Sequence, residues 1–287
     1  MNATDYDFIS SFLHQSSGLA LGAGKEYLVE SRLVPLAACL GLADFNELIR
    51  ELRKGGARQL QTAVTEAMTT NETSFFRDKT PFEDLKKSLI PALIKARAGV
   101  RKLRIWCAAA STGQEPYSLL MLLEEAFPEL KLWQVEIVAT DIAQSMIDRC
   151  REGVYSQFEV QRGLPIQQLV KYFSQVPAGW QVQPHLRQKI DWRLLNLLER
   201  FDHLGQFDIV LCRNVLIYFD VPTKKQILDR ISRVVRPDSY LLLGAAETVL
   251  GICDRFERFR ACTSAIYAPS SVVKAQSVIP CTVPIPA

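Results

Sequence analysis

The chain has 287 residues, of which 48% are hydrophobic and 23% charged, with a formal net charge of +3. This is material for about two domains with sizeable cores, which excludes a disordered chain, a collagen-like repeat and a small disulfide scaffold. The charge is too small to mark a nucleic-acid binder, no apolar stretch approaches the roughly 18–20 residues of a membrane span, and no basic stretch precedes an apolar one at the start, so neither nucleic acid, membrane insertion nor secretion is expected.

In chain order, residues 5–70 read as short helices. Phe8, Ile9, Phe12 and Leu13 recur at helical spacing, as do Leu28, Val29, Arg32, Leu33 and Leu36. Asp44 with Glu47 predicts a capping-box start for a segment ending near Gly55-Gly56, and Thr80-Pro81-Phe82-Glu83 predicts a second, with proline at the first helical position. Between them runs a polar connector, Met68 to Arg77, that ends in two aromatics and an arginine.

From Leu103 the pattern changes to strands alternating with helices, which predicts a parallel sheet covered on both faces. Strands are expected at Leu103–Ala108, at Val135–Thr140 ending on Asp141, at Phe207–Cys212, and at Tyr240–Gly244 after a break at Arg236-Pro237-Asp238. Helices are expected at about Glu115–Phe127, from Asp141 to about Gly153, and at Val221–Val235. Residues 155–192 interrupt the alternation and read as an inserted β subdomain, a small antiparallel ribbon. The tail from Pro269 has four prolines and no charge beyond Lys274, and is expected to be disordered.

The predicted fold is therefore α/β, preceded by an all-helical domain. Its divisions are a helical domain and connector at 1–76, an α/β domain at 77–268 with its insertion at 155–192, and a tail at 269–287. Residues 1–76 hold six basic and nine acidic residues, a net of −3, so the remainder carries +6, which suits an anionic partner or substrate. Seven cysteines, an odd number with no C-x-x-C spacing, predict buried reduced thiols in a reducing cytoplasm. Three scattered histidines argue against a metal site.

In open α/β sheets, ligands bind beyond the carboxyl ends of the strands, where strand order reverses. The small-residue turn Ala108-Ala-Ala-Ser-Thr-Gly-Gln-Glu115 lets a ligand approach the backbone, but its single glycine is not the dinucleotide fingerprint. Asp141 at a strand end suits a ribose diol, since one carboxylate accepts from both hydroxyls. Arg213-Asn214 point polar groups into the same crevice. Adenosine with a short amino-acid arm fits this set better than a dinucleotide, which points to S-adenosylmethionine.

Three stretches carry a family resemblance: Met68-Thr-Thr-Asn-Glu-Thr-Ser-Phe-Phe-Arg-Asp78, Ile105-Trp-Cys-Ala-Ala-Ala-Ser-Thr-Gly-Gln-Glu-Pro-Tyr-Ser118 and Cys212-Arg-Asn-Val-Leu-Ile-Tyr-Phe219. They resemble the CheR-type chemotaxis receptor glutamate O-methyltransferases, over a span reaching from the N-terminal helices to about Tyr267. The resemblance implies a Rossmann-like S-adenosylmethionine-dependent methyltransferase domain with a small β insertion behind an all-helical domain. It implies methyl esterification of glutamates in the cytoplasmic signalling domain of transmembrane chemoreceptors, with S-adenosylhomocysteine as the product. By position it assigns Asn71, Thr73, Arg77, Glu115, Asp141, Asn196, Leu197, Arg213 and Asn214 to the cofactor, and Arg77 and Tyr218 to the reacting centre. A cytoplasmic monomer is expected.

The chemistry asks for little. A glutamate side chain ordinarily titrates near pH ~4.3 and is already ionised at neutral pH, so methyl transfer from a sulfonium needs no general base, only alignment and removal of water. Family members that dock on a receptor's C-terminal pentapeptide tend to have a Gly-x-Gly turn in the insertion. This chain has Pro177-Ala-Gly179-Trp180 there, which predicts independence from that tether. Among rival readings, DNA amino-methylases usually carry Asn/Asp-Pro-Pro-aromatic where this chain has Arg213-Asn-Val-Leu. A non-catalytic adaptor that binds S-adenosylmethionine as a signal, and a nicotinamide oxidoreductase, are the remaining alternatives.

Overall fold

Two of the N-terminal helices begin where a short polar side chain stands in for missing backbone acceptors. In the computed structural model, which describes residues 1–55 and 57–270, Asn2 accepts from Asp5 N at 2.8 Å to open helix α1 (Ala3–Ser17). Gly18 closes α1 in the left-handed conformation at φ 78°. Helices α2 (Glu26–Cys39), α3 (Phe45–Arg53) and α4 (Arg58–Met68) follow. Asp44 caps α3 by accepting from Glu47 N at 2.7 Å, but Glu47 reaches past it to Ala43 N. Ile9, Leu13, Val29, Leu33, Leu48 and Val64 interlock as a separate apolar core for these helices.

The second expected capping box does not form. Asp78 and Lys79 are both left-handed (φ 68° and 49°), so Thr80 is already helical and its side chain cannot cap α5 (Thr80–Asp84). Glu83 pairs instead with Lys87 on the exposed face. The helix runs through a π turn at Leu85–Leu89 into α6 (Ile90–Arg97). Pro91 explains the turn, because it offers no N–H and its ring crowds the carbonyl four residues back.

Strands β1 (Lys102–Ala108), β2 (Gln134–Asp141), β3 (Val154–Tyr155), β4 (Phe173–Val176), β5 (Gly179–Val182), β6 (Ile190–Leu194), β7 (Phe207–Cys212), β8 (Val235–Leu243), β9 (Phe256–Arg258) and β10 (Ile266–Pro269) follow. Between them lie α7 (Gln114–Ala126), α8 (Gln144–Glu152), α9 (Gln157–Gln161), α10 (Ile166–Tyr172), α11 (Pro184–Arg187) and α12 (Val221–Val234). Among the described residues, the main sheet has the order β6-β2-β1-β7-β8-β10-β9. Its first five strands are parallel and the last two antiparallel. Chain order reverses between β1 and β7, which opens the crevice at their carboxyl ends. Strands β1 and β7 are buried on both faces and read as nearly continuous apolar runs.

Four expectations need correction. The insertion does not extend to residue 192, because Ile190–Leu194 pairs with β2 as an edge strand of the main sheet. Alternation of buried Ile190 and Trp192 with exposed Asp191 and Arg193 disguised it. Within the insertion, β3-β5-β4 form a small antiparallel sheet. Arg236-Pro237-Asp238 does not break the chain either. It is a bulge inside β8, where Val235 pairs with Phe207 and the next pair is Tyr240 with Ile209. Pro269 and Ser270, placed in the expected disordered tail, are ordered: Pro269 pairs with Phe256 and Ser270 Oγ donates to Asp254 O. The rest of that tail, from 271, lies outside the described residues. Of the cysteines, Cys39 is exposed and Cys281 lies outside the described residues; Cys107, Cys150, Cys212, Cys253 and Cys262 are buried. No helix among the described residues is long and apolar enough to cross a membrane.

Below the sheet, far from the crevice, Asp208 is 1% exposed and serves three partners. Arg97 Nε and Arg104 N donate to it at 2.8 Å each, and Arg236 Nε lies 3.3 Å away. Arg97 also keeps Asp238 through Nη1 and Nη2, so loss of the Asp208 carboxylate leaves about one buried donor short of an acceptor, at a cost of roughly 1–3 kcal/mol. Asp208→Asn is therefore expected to lower the unfolding free energy by about that amount in urea titration while leaving ligand affinity of the folded protein unchanged.

Candidate active site

The carboxyl ends of β1, β2, β6 and β7 and the connector after α4 enclose one cleft. Its space, including what is open to solvent, is about 1000 Å³. The structure brings all the sequence-predicted residues to it: Asn71, Thr73 and Arg77 from the connector, Glu115 and Asp141 after β1 and β2, Asn196 and Leu197 after β6, and Arg213, Asn214 and Tyr218 after β7. Ser17 and Leu19, at the end of α1, also line it.

Backbone strain concentrates around this cleft. Of the seven non-glycine residues at positive φ among the described residues, Ala109, Ser111 and Asn214 line it, and Phe76 and Asp78 flank Arg77, which also does. Such conformations cost of order 1–3 kcal/mol each and persist only where neighbours over-determine them. Ser111 shows how, since its N donates to Asp141 Oδ2 at 2.7 Å and its Oγ to Asn71 O at 2.8 Å.

Asp141 is 5% exposed and accepts a second bond, from Ala143 N to Oδ1 at 3.1 Å. Burial pushes its carboxyl up to about 6, against the lowering effect of the backbone N–H groups of Ala143 and Ser111. Both oxygens retain lone pairs toward the cleft, the requirement for binding a vicinal diol. Helix α8 is capped from another domain: Glu66 of α4 accepts from Gln144 N at 2.8 Å and from Ser145 Oγ at 2.6 Å.

Glu115 sits in the first turn of α7. Burial pushes its carboxyl above the usual range, and Arg213 opposes the shift. Arg213 Nη1 donates to Glu115 Oε2 at 2.7 Å. Its Nη2 donates to Arg77 O at 2.9 Å and Asp78 Oδ2 at 2.8 Å. With its side chain 1% exposed, Arg213 is part of the wall. Glu115 Oε1 remains for a cation. Arg77 is half-buried and donates one bond, from Nη1 to Glu72 O at 2.8 Å.

Asn196 is also partly committed: its Nδ2 donates to Ser16 O at 2.7 Å and its Oδ1 accepts from Leu198 N. Leu197 is 7% exposed and belongs both to the core and to the cleft wall. Tyr218 is half-buried, and its carbonyl accepts from Ala20 N at 2.9 Å beside the Leu19–Phe219 bridge.

Sequence reasoning misses three supporting residues. Arg32 reads there as one member of a helical stripe, but it clamps the connector, donating to Met68 O, Thr69 O and Thr70 Oγ1. Glu66 and Glu247 stand outside every motif. Glu247, 7% exposed, accepts from Asn214 N at 2.8 Å. Its one sequence signal is an acid three residues after an apolar strand ends at Gly244.

Residues 71–265 match the family model described as CheR methyltransferase, SAM binding domain, and residues 4–69 match the CheR methyltransferase all-alpha domain. The chain belongs to the CheR methyltransferase family. Chemotaxis protein methyltransferase 1 of Pseudomonas aeruginosa is 43% identical over 270 residues, covering 92% of this chain and 97% of that protein. Chemotaxis protein methyltransferase Cher2 of Pseudomonas putida is 41% identical, with coverage of 92% and 97%. The chemotaxis protein methyltransferase of Borreliella burgdorferi is 33% identical, with coverage of 83% and 86%. The fold expected from the sequence, a Rossmann-like methyltransferase domain behind an all-helical domain, is the one observed.

The side chains present suit S-adenosylmethionine. Asp141 offers diol acceptors, Glu115 Oε1 an anionic partner for an ammonium, and Leu197 and Ile142 apolar wall. Protonation of Asp141 removes acceptor capacity, so affinity should be flat from pH 8 to 7 and fall below about pH 6, by up to tenfold per unit. Calorimetric titration of S-adenosylhomocysteine across that range checks this, and Asp141→Asn is expected to bind more weakly with the slope removed.

Proposed function

We propose that this S-adenosylmethionine-dependent methyltransferase esterifies glutamate side chains in the cytoplasmic signalling domains of chemoreceptors, and that it works in the cytoplasm as a monomer. Relatives that share more than nine-tenths of the chain carry the name chemotaxis protein methyltransferase, which supports a receptor acceptor. The observation that carries the choice of a carboxylate acceptor is the charge arrangement of the cleft. Each of its acids already holds a partner, Arg213 for Glu115, backbone N–H groups for Asp141 and Arg162 for Glu72, which offsets their charge. Arg77 spends one N–H on Glu72 O and keeps the others for an anion.

In this reading Asp141 holds the ribose hydroxyls, Glu115 the methionine ammonium, and Asn196-Leu197 flank the adenine, with Leu197 as wall and Asn196 contributing what its internal bonds leave. Asn71 and Thr73 complete the pocket from the connector. Arg213 holds the connector and Glu115 in register, and the Asn214 turn leads to Tyr218. Bound there, S-adenosylmethionine supplies an electrophilic methyl group on a cationic sulfur. The acceptor carboxylate is ionised at neutral pH. Arg77 and Tyr218 orient it for in-line displacement, and contact with the cleft walls removes part of its water. Alignment of this kind is worth roughly 7–11 kcal/mol.

The test is transfer of labelled methyl from S-adenosylmethionine to chemoreceptor-containing membranes, followed by mild alkali. Release as methanol is expected. Alkali-stable label would move the acceptor to nitrogen, and absence of label despite tight cofactor binding would favour the non-catalytic adaptor. Arg77→Ala should lower turnover at least a hundredfold with a melting temperature within a few degrees of the parent; unimpaired turnover would remove the role given to Arg77.

We also infer that the methyltransferase does not use a receptor C-terminal pentapeptide as a tether. The β4–β5 turn presents Pro177-Ala178, and Gly179 is at φ 134° where a Cβ would lie 2.3 Å from Tyr155 O, so the turn's one glycine is committed to packing on Tyr155. Receptors truncated by those residues should be methylated at the rate of full-length ones. A large drop, or micromolar binding of the free peptide, would contradict it.

A further inference from the structure

Glu247 is a buried carboxylate that neither the cofactor pocket nor the proposed acceptor uses. It stands beyond the end of β8, and its two oxygens gather three backbone N–H groups from separate turns. Oε2 accepts from Gly244 N at 2.6 Å and Asn214 N at 2.8 Å, and Oε1 accepts from Ile217 N at 3.2 Å. Glu247 N in turn donates to Gly244 O at 2.9 Å, which closes the turn around the side chain. Without the carboxylate, these N–H groups lose the acceptor the structure gives them, and a buried donor left unpaired is costly.

The residues it holds are those on which the active site depends. Asn214 is held at φ 59°, a conformation few side chains adopt unaided. Ile217 immediately precedes Tyr218, and the short turn Leu216–Tyr218 carries that ring into the cleft. Tyr218 is fixed on its other side by Ala20 N. The fit around Glu247 is tight. A Cβ on Gly244 would meet Asn214 Nδ2 at 2.7 Å, Glu247 Oε2 at 2.8 Å and Asn214 N at 2.9 Å, so the strand end, the acid and the turn pack without spare room.

We propose that Glu247 is a positioning residue for methyl transfer, one that sets the Asn214–Tyr218 turn so that Tyr218 meets the acceptor. The two oxygens have different duties. Oε2 serves the Asn214 end, which borders the cofactor, and Oε1 serves the Ile217 end, which leads to Tyr218. Substitution by glutamine separates them. An amide has one acceptor oxygen and one donor NH₂. The oxygen goes where two N–H groups converge, at Gly244 and Asn214. The NH₂ then faces Ile217 N–H, two donors in opposition, and the Ile217–Tyr218 end loosens. The inference rests on the methyltransferase reading above for what Tyr218 does, but not for what Glu247 holds.

The experiment compares wild type with Glu247→Gln by S-adenosylhomocysteine calorimetry, thermal melting, receptor methylation and amide hydrogen exchange over residues 214–218. Expected for Glu247→Gln is a Kd within about threefold of wild type and a melting temperature within a few degrees. Its kcat should be at least tenfold lower, with faster exchange at Ile217 and retained protection at Asn214. In a Tyr218→Phe background the same change should add less than threefold, because both act through the placement of the Tyr218 hydroxyl. A kcat within twofold of wild type overturns the proposal. So does a loss of binding, turnover and melting temperature in parallel, which is the mark of a merely structural acid; Glu247→Ala supplies that reference. If wild type itself transfers no methyl to receptors, the functional reading fails while the exchange pattern still decides whether Glu247 sets the turn.

Discussion

A buried guanidinium holds the active site together. Arg213 is 1% exposed at its side chain, and a buried cation without compensation costs several kcal/mol. It is compensated in three directions at once: Glu115 at the start of α7, the Asp78 carboxylate, and the Arg77 carbonyl. These belong to segments that have no other reason to meet, one a Rossmann-type helix and the other the end of the interdomain connector. Because charge-assisted bonds are short and directional, satisfying Arg213 fixes where the connector ends. That determines where Arg77 begins, and it tolerates the left-handed residues Asp78 and Lys79 that a free connector would avoid.

The same constraint makes the helical domain part of the site. Its polar contacts with the α/β domain include Glu66 on the α8 N-terminus, Asn196 on Ser16 O, His14 on Asp220, and the Leu19–Phe219 bridge. The loop after β2 therefore receives Asp141 from one domain and a helix cap from the other. Glu66 also adds its negative charge near Asp141 and pushes the same carboxyl further up. An exposed interface of this kind contributes little stability per contact, but it sets the geometry of the ligand walls, and a methyl transfer without acid–base chemistry depends on geometry above all.

Around this frame, strain and support are paired. Ala109 and Ser111 approach the cleft in left-handed turns, and Ser111 is held by Asp141 and Asn71. Asn214 is held by Glu247, and the connector by Arg32. Functional residues thus stand on strained turns, held partly by one another, as Ser111 is by Asp141 and Asn71, and partly from behind by Arg32 and Glu247.

Much of this was legible in the sequence. The apolar runs at Leu103–Ala108 and Phe207–Cys212 gave the parallel core because strands covered on both faces carry no alternation. The three stretches at 68–78, 105–118 and 212–219 marked most of the candidate site, because segments whose backbone lines a cleft carry long, specific local patterns. The edge strand Ile190–Leu194 stayed hidden, since alternation made it look like part of the insertion, and Pro237 concealed a bulge rather than a break. Only the tertiary structure decided the supporting layer. Arg32, Glu66 and Glu247 meet partners up to 79 residues away, and nothing local distinguishes them from surface charges. Local chemistry specifies which residues touch a ligand; which residues hold those in place depends on how distant segments are brought together.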